Sequence, residues 1–252
     1  MPRFPLFVGV LAMVVVLASC ARTESGKPEP EATGPLAGWQ LTLPVPGPKG
    51  DAQIVNPAVV SPPWLTTDPA GGLVFWAPVR GVTTKNSEHA RTELDRLDTF
   101  AAGSGARTLT ASVAVTQLPT AVPEVIIGQI HGAADISSVP FVMLYYAGGT
   151  VRAVVKQEQA GAAHTDIPLL TDVGLGTRFD YTVTDVGDGT LVVTATANGH
   201  TAHGEAPVPA AFSGATVRFQ AGAYQQAPSS ESAPDTEGAR VTFSSITVGP
   251  KT

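Results

Sequence analysis

The strongest constraint on the fold is a two-residue alternation of apolar and polar side chains, broken by glycine-containing turns. Leu109, Ala111, Val113 and Val115 alternate with Thr108, Thr110, Ser112, Ala114 and Thr116. Phe179, Tyr181 and Val183 alternate with Asp180, Thr182 and Thr184. Asp188-Gly189 then leads into Leu191, Val193, Ala195 and Ala197, and Asn198-Gly199 turns the chain again into residues 200–204. Successive residues of a strand point to opposite faces, so this period describes sheets with one dry face. Glycine turns between alternating runs mark hairpins. Near the end, Val241 and Phe243 hold one phase and Ile246 and Val248 the other, which predicts a β-bulge at Ser244-Ser245. No window has the spacing of an amphipathic helix. The predicted class is all-β, with two packed sheets.

Composition bounds the rest. A hydrophobic content of 43% over 252 residues fills a sizeable core, while 26 Gly and 22 Pro suit a chain of many turns. The net charge of −6 argues against nucleic acid or an anionic membrane surface as the main partner. At the N-terminus, Arg3 followed by the apolar run Leu6 to Leu17 reads as a signal peptide over 1–19. Leu17-Ala18-Ser19-Cys20 resembles the bacterial lipobox, which makes Cys20, the only cysteine, a lipidated mature N-terminus. Residues 20–35, rich in Pro, Glu and Gly, read as a disordered tether, and 36–250 as a single domain. The expected product is an extracytoplasmic, membrane-anchored bacterial lipoprotein, and a monomer.

Three stretches place polar groups on alternate positions of strands: Arg91-Thr92-Glu93-Leu94-Asp95, Gln129-Ile130-His131 and Arg218 to Tyr224. Arg91 and Glu93 share one face, Gln129 and His131 another, and Tyr224 shares its face with Gln220. Such a collection of Arg, Gln, His and Tyr is suited to an acidic sugar. Arg91-Thr92-Glu93-Leu94, Gln129-Ile130-His131 and Phe219-Gln220-Ala221-Gly222-Ala223-Tyr224-Gln225-Gln226 resemble, in order and spacing, the three signature blocks of the polysaccharide lyase family 7 alginate lyases. Trp39-Gln40-Leu41-Thr42-Leu43-Pro44 is similar to the family's opening strand, and Phe75-Trp76-Ala77-Pro78-Val79 to the segment before the arginine block. The resemblance implies a β-jelly roll, a concanavalin A-like sandwich of two antiparallel sheets with a concave substrate groove.

It also implies β-elimination on a 1,4-linked uronate polysaccharide, alginate first, with no metal or other cofactor. Arg91 and Gln129 are expected on the substrate carboxylate, Gln129 as an amide donor, and His131 and Tyr224 at the acid and base positions. Glu93, Asp95, Met143, Gln220 and Gln226 are expected to line the substrate groove, with Glu93 also orienting Arg91. Asp95, Gln220 and Met143 stand where the family usually carries cations, which weakens the expected hold on neighbouring uronates. A lyase for another uronate glycan such as glucuronan, or a non-catalytic carbohydrate-binding jelly roll, is the alternative. Isolated histidines (His89, His164, His200 and His203) are expected at the surface or in loops.

Overall fold

A computed structural model describes residues 36–57 and 62–250, together with Met1. The expected signal peptide beyond Met1, the expected lipidation site Cys20 and the expected tether over 20–35 lie outside the described residues. Sixteen strands follow one another: β1 (Trp39–Pro46), β2 (Ala52–Val55), β3 (Leu65–Thr67), β4 (Leu73–Pro78), β5 (Arg91–Arg96), β6 (Phe100–Ala101), β7 (Arg107–Gln117) and β8 (Glu124–Gly132); then β9 (Pro140–Ala147), β10 (Thr150–Lys156), β11 (His164–Leu170), β12 (Arg178–Asp185), β13 (Thr190–Ala197), β14 (His200–Pro207), β15 (Thr216–Gln225) and β16 (Gly238–Pro250). They form a nine-stranded sheet in the order β11-β10-β9-β8-β15-β5-β1-β2, with β6 beside β15. A seven-stranded sheet has the order β14-β13-β12-β7-β16-β4-β3. Every ladder is antiparallel, and crossovers such as β15 lying between β5 and β8 are those of a jelly roll.

The alternation read from the sequence becomes the layering. Leu109, Ala111, Val113 and Val115 of β7 face inward, as do Phe179, Tyr181 and Val183 of β12 and Leu191, Val193 and Ala195 of β13. Opposite them, Leu94, Ile130, Phe219, Ala221 and Ala223 project from the other sheet into the same core. Aromatic pairs fill this core: Phe141 of β9 stacks on Phe212 of the β14–β15 loop with ring centres 4.4 Å apart, and Phe75 of β4 meets Phe243 of the neighbouring β16 edge-on at 5.3 Å. Buried hydroxyls are satisfied, Tyr181 donating to the Ile127 carbonyl at 2.9 Å and Tyr146 to that of Val173 at 2.7 Å. The Asn198-Gly199 turn joins β13 to β14 with positive φ at both residues, 52° and 79°, as a two-residue hairpin requires. The register of β16 against β7 shifts between Phe243 and Ser245, at the expected bulge.

A second bulge, unforeseen in the sequence, shapes the other sheet. Opposite β9, the register of β8 slips between Ile126 and Gly128, so Ile127 is extra. Ile127 lies in the core. A Cβ on Gly128 would come 2.6 Å from Tyr181 Oη, so that residue also faces inward. Two consecutive inward positions let Ile126 and Gln129, three residues apart, both line the outer, concave face.

Candidate active site

The concave face of the nine-stranded sheet carries a groove with a cavity of about 500 Å³, within the range of ligand clefts. Cross-strand register assembles it from the three polar stretches. Tyr224 of β15 pairs with Arg91 of β5, and Gln220 pairs with both Asp95 of β5 and Gln129 of β8. Arg218 pairs with His131. Gly222 makes this packing possible. Its φ of 157° is one that side-chain-bearing residues rarely adopt, and a Cβ there would lie 2.5 Å from the Thr92 carbonyl oxygen.

Arg91 sits at the centre. Its Nη1 donates to Glu93 Oε2 at 3.0 Å, and its guanidinium carbon lies 3.5 Å from the centre of the Tyr224 ring. Glu93 is fully buried and does not line the groove, which corrects the expectation of substrate contact. Its carboxylate is spent on Arg91 and on Gln129, whose Nε2 donates to Glu93 Oε1 at 2.7 Å. Burial pushes Glu93 up to about 7, against the pull of the Arg91 charge.

Gln129 also departs from expectation. Both hydrogens of its amide nitrogen are committed, one to Glu93 and the other to Gln220 Oε1 at 2.8 Å. Its own Oε1 is buried without a partner. As it stands, the amide presents an acceptor, and the donor expected for a substrate carboxylate is occupied. The cause lies further along the chain of bonds. Gln220 Nε2 donates to Asp95 Oδ1, while Thr42 Oγ1 donates to Asp95 Oδ2 at 2.7 Å. Asp95 thus fixes Gln220, and Gln220 fixes Gln129. Burial raises Asp95 above the usual carboxylate range, opposed by the Thr42 hydrogen bond and the Arg218 charge.

His131 lies half-buried at the groove with Nδ1 3.0 Å from the Gly132 carbonyl oxygen. A carbonyl only accepts, so Nδ1 carries the proton and Nε2 keeps its lone pair. Burial, with the Arg91 and Arg218 charges adding to it, lowers His131 to about 4 despite that hydrogen bond. The imidazole is therefore neutral at neutral pH. Tyr224 Oη lies 2.9 Å from Ser87 Oγ. Ser87 is held in turn by the His89 backbone, accepting from N–H and donating to C=O, each at 3.0 Å. With its single proton on the His89 carbonyl, Ser87 accepts the phenol hydrogen of Tyr224. The second groove tyrosine differs: burial pushes Tyr145 up to about 12, and its hydroxyl points to Met143 Sδ at 3.6 Å. Met143 is 8% exposed, packed with Ile126 and Val154 as an apolar end of the groove. Gln226 lines the groove while donating to the Tyr224 carbonyl at 3.0 Å.

Ser87 and Arg218 escaped the sequence reading as site residues. Arg218 carried a legible signal, since positions 218, 220 and 224 share a strand phase; Ser87 lies in a loop and carried none. His89, expected at the surface or in a loop, lies in the β4–β5 loop and packs against Tyr224 with ring centres 6.2 Å apart. His164, His200 and His203 are exposed as expected.

A two-sheet jelly roll with this groove is a polysaccharide lyase in architecture. The family model for alginate lyase matches residues 35–250, and the chain belongs to that family. It superposes on an alginate lyase from Pseudomonas aeruginosa at 27% identity and a TM-score of 0.71, over 84% of this chain and 98% of that one. It likewise resembles alginate lyase A1-II′, a member of polysaccharide lyase family 7, at 26% identity and a TM-score of 0.70, covering 85% and 95%. An alginate lyase from Klebsiella pneumoniae, at 20% identity and a TM-score of 0.71 over 86% and 96% of the chains, shares the fold. No curated protein matches the chain.

Proposed function

We propose that the protein cleaves alginate by β-elimination in this groove, with Arg91, His131 and Tyr224 around the reacting uronate. The difficulty of the reaction is that the C5 hydrogen sits beside an ionised carboxylate and is a very weak acid. Arg91 neutralises that carboxylate and holds the enolate-like charge as it develops. A preorganised donor of this kind contributes roughly 3–4 kcal/mol to the barrier reduction. The C5 proton passes to a base, the C–H electrons form the C4–C5 double bond, and the C4–O bond breaks with its electrons on the leaving sugar. A second group protonates that oxygen.

The observation that carries the reading is the neutral His131 with Nε2 free, across the site from a Tyr224 phenol stacked on Arg91. His131 is the base where the C5 hydrogen faces it, as in guluronate, and Tyr224 the acid that meets the leaving oxygen. Where the hydrogen faces the other way, as in mannuronate, Tyr224 serves both roles. Glu93 holds Arg91 in place from beneath the site, and Gln129, on the groove floor, holds Glu93. The readout is absorbance of the unsaturated product on a panel of guluronate blocks, mannuronate blocks and glucuronan. Product from alginate is expected. Product from glucuronan alone would move the substrate to another uronate glycan, and none across the panel would make the groove a carbohydrate-binding surface.

The same proposal places the domain outside the cytoplasm, monomeric, on a lipid attached to Cys20 at the end of a tether. Cys20→Ser should move the protein from the membrane to the soluble fraction; retention in the membrane would exclude the anchor.

A further inference from the structure

We infer that Arg218 is a carboxylate-binding residue of the groove, engaging the uronate next to the one cleaved, and so makes the site specific for consecutive uronates. The inference rests on the lyase reading above. Arg218 belongs to the same strand phase as Gln220 and Tyr224 and lines the groove half-exposed. Its Cα partner across the β8–β15 ladder is His131. Cross-strand neighbours on one face stand about 5 Å apart at Cβ, so the guanidinium is one side chain removed from the imidazole.

Its donors are unspent. Arg91, the other groove arginine, gives Nη1 to Glu93, whereas among the described residues Arg218 has no hydrogen-bond or ion-pair partner, and its Nε is buried without an acceptor. The nearby acid, Asp95, acts on it through charge alone: its Oδ1 accepts from Gln220 and its Oδ2 from Thr42, and neither oxygen is hydrogen-bonded to Arg218. An unpaired planar fork opening into a polar groove is the complement of a carboxylate. The reacting sugar's own carboxylate falls to Arg91, so the one at Arg218 belongs to its neighbour. Positions 95, 143 and 220 offer no cation for that neighbour, and Arg218 supplies one from a place shifted by two residues along β15. A glycan in which each uronate is flanked by neutral sugars leaves this fork empty.

The test is steady-state kinetics of wild type, Arg218→Gln, Arg218→Lys and Arg240→Gln on polyuronate and on a glycan alternating uronate with neutral sugar. Arg240 lies on the other sheet against Trp76 and controls for net charge. Arg218→Gln should raise KM for polyuronate about tenfold with kcat within about twofold, the loss expected for one half-exposed hydrogen bond between charged groups. Arg218→Lys should recover part of it, Arg240→Gln should match wild type, and the alternating glycan should be indifferent to all three. An unchanged KM overturns the inference. So does a shifted acid limb at constant KM, which would leave Arg218 acting only on the charge state of His131. Should wild type cleave nothing, the lyase reading fails separately; calorimetry of a tetrauronate against wild type and Arg218→Gln then decides, with equal affinity overturning the role of Arg218.

Discussion

The two outward faces of this sandwich are built from the same alternation yet hold their polar groups in opposite ways. On the convex face of the seven-stranded sheet, threonines meet across strands: Thr108 with Thr184 at 3.1 Å, Thr182 with Thr194 at 2.7 Å, and Thr196 with Thr201 at 2.9 Å. Apart from the buried Thr184, these threonines are partly or fully exposed, and their hydroxyls satisfy one another in pairs. On the concave face, Arg91, Glu93, Asp95, Gln129 and Gln220 are buried at the sheet surface, joined in one network, with Arg91 Nε and Gln129 Oε1 left unpaired. A face that only covers a core solves its polar groups locally. A face that must meet a ligand keeps desolvated charge in place and leaves part of it unspent, at a cost in stability.

That contrast breaks most visibly at Tyr224. Tyr224→Phe keeps the ring under Arg91 and removes only the moving proton, so kcat should fall by roughly 10²–10⁴-fold with binding of oligouronate retained. Activity near wild type would remove Tyr224 from the chemistry. Glu93→Ala comes next. It strands the Arg91 guanidinium in a buried site and should cost about 3–5 kcal/mol of folding stability by denaturant titration, besides lowering kcat. A loss no larger than a surface substitution would show the pair to be solvated.

The titrations of Glu93 and His131 sharpen the comparison further. His131 has its folded value lowered from 6.5 to about 4, so its base form survives as pH falls through 6.5. Glu93, raised from 4.5 to about 7, loses its charge as pH falls through 7 and with it the ionic attraction that holds Arg91. kcat/KM should therefore fall with an apparent pKa near 7, and in Glu93→Gln that limb should vanish, leaving one near 4. An inflection at 6.5 in both enzymes would mean an ordinary, solvated histidine. Their effects on stability oppose each other. Between 6.5 and 4 the unfolded chain takes up the proton that folded His131 refuses, so that contribution is lost as pH falls. Between 4.5 and 7 folded Glu93 keeps a proton the unfolded chain releases, so its contribution is lost as pH rises.

The smallest pair of effects separates the faces directly. Ser87→Ala removes the hydrogen bond that aims the Tyr224 hydroxyl and should lower kcat several-fold, on the order of one net hydrogen bond of about 1 kcal/mol, with KM little changed. Thr182→Val, which removes a hydroxyl pair of similar length on the convex face, should leave kcat unaltered and stability within about 0.5 kcal/mol. Equal effects of the two on kcat would erase the distinction.

The sequence by itself determined the all-β class, the hairpins at 188–189 and 198–199, the bulge at 244–245 and the phases of the three polar stretches. Each of these depends on local periodicity or on turn residues whose backbone needs are local. The resemblance of the blocks added the family and its fold. Only the tertiary structure decided what each polar group does, because that depends on which strands become neighbours. Placing β15 between β5 and β8 brought Gln220 against both Asp95 and Gln129, which turned an expected carboxylate donor into an amide with its hydrogens spent. The bulge at Ile127 set Ile126 and Gln129 on one face, a slip that an unbroken run of strand residues does not announce. Burial moved Glu93 beneath the groove, and the Arg218–His131 register put a free guanidinium beside the base. Local chemistry wrote the candidates, and long-range pairing with desolvation assigned their parts.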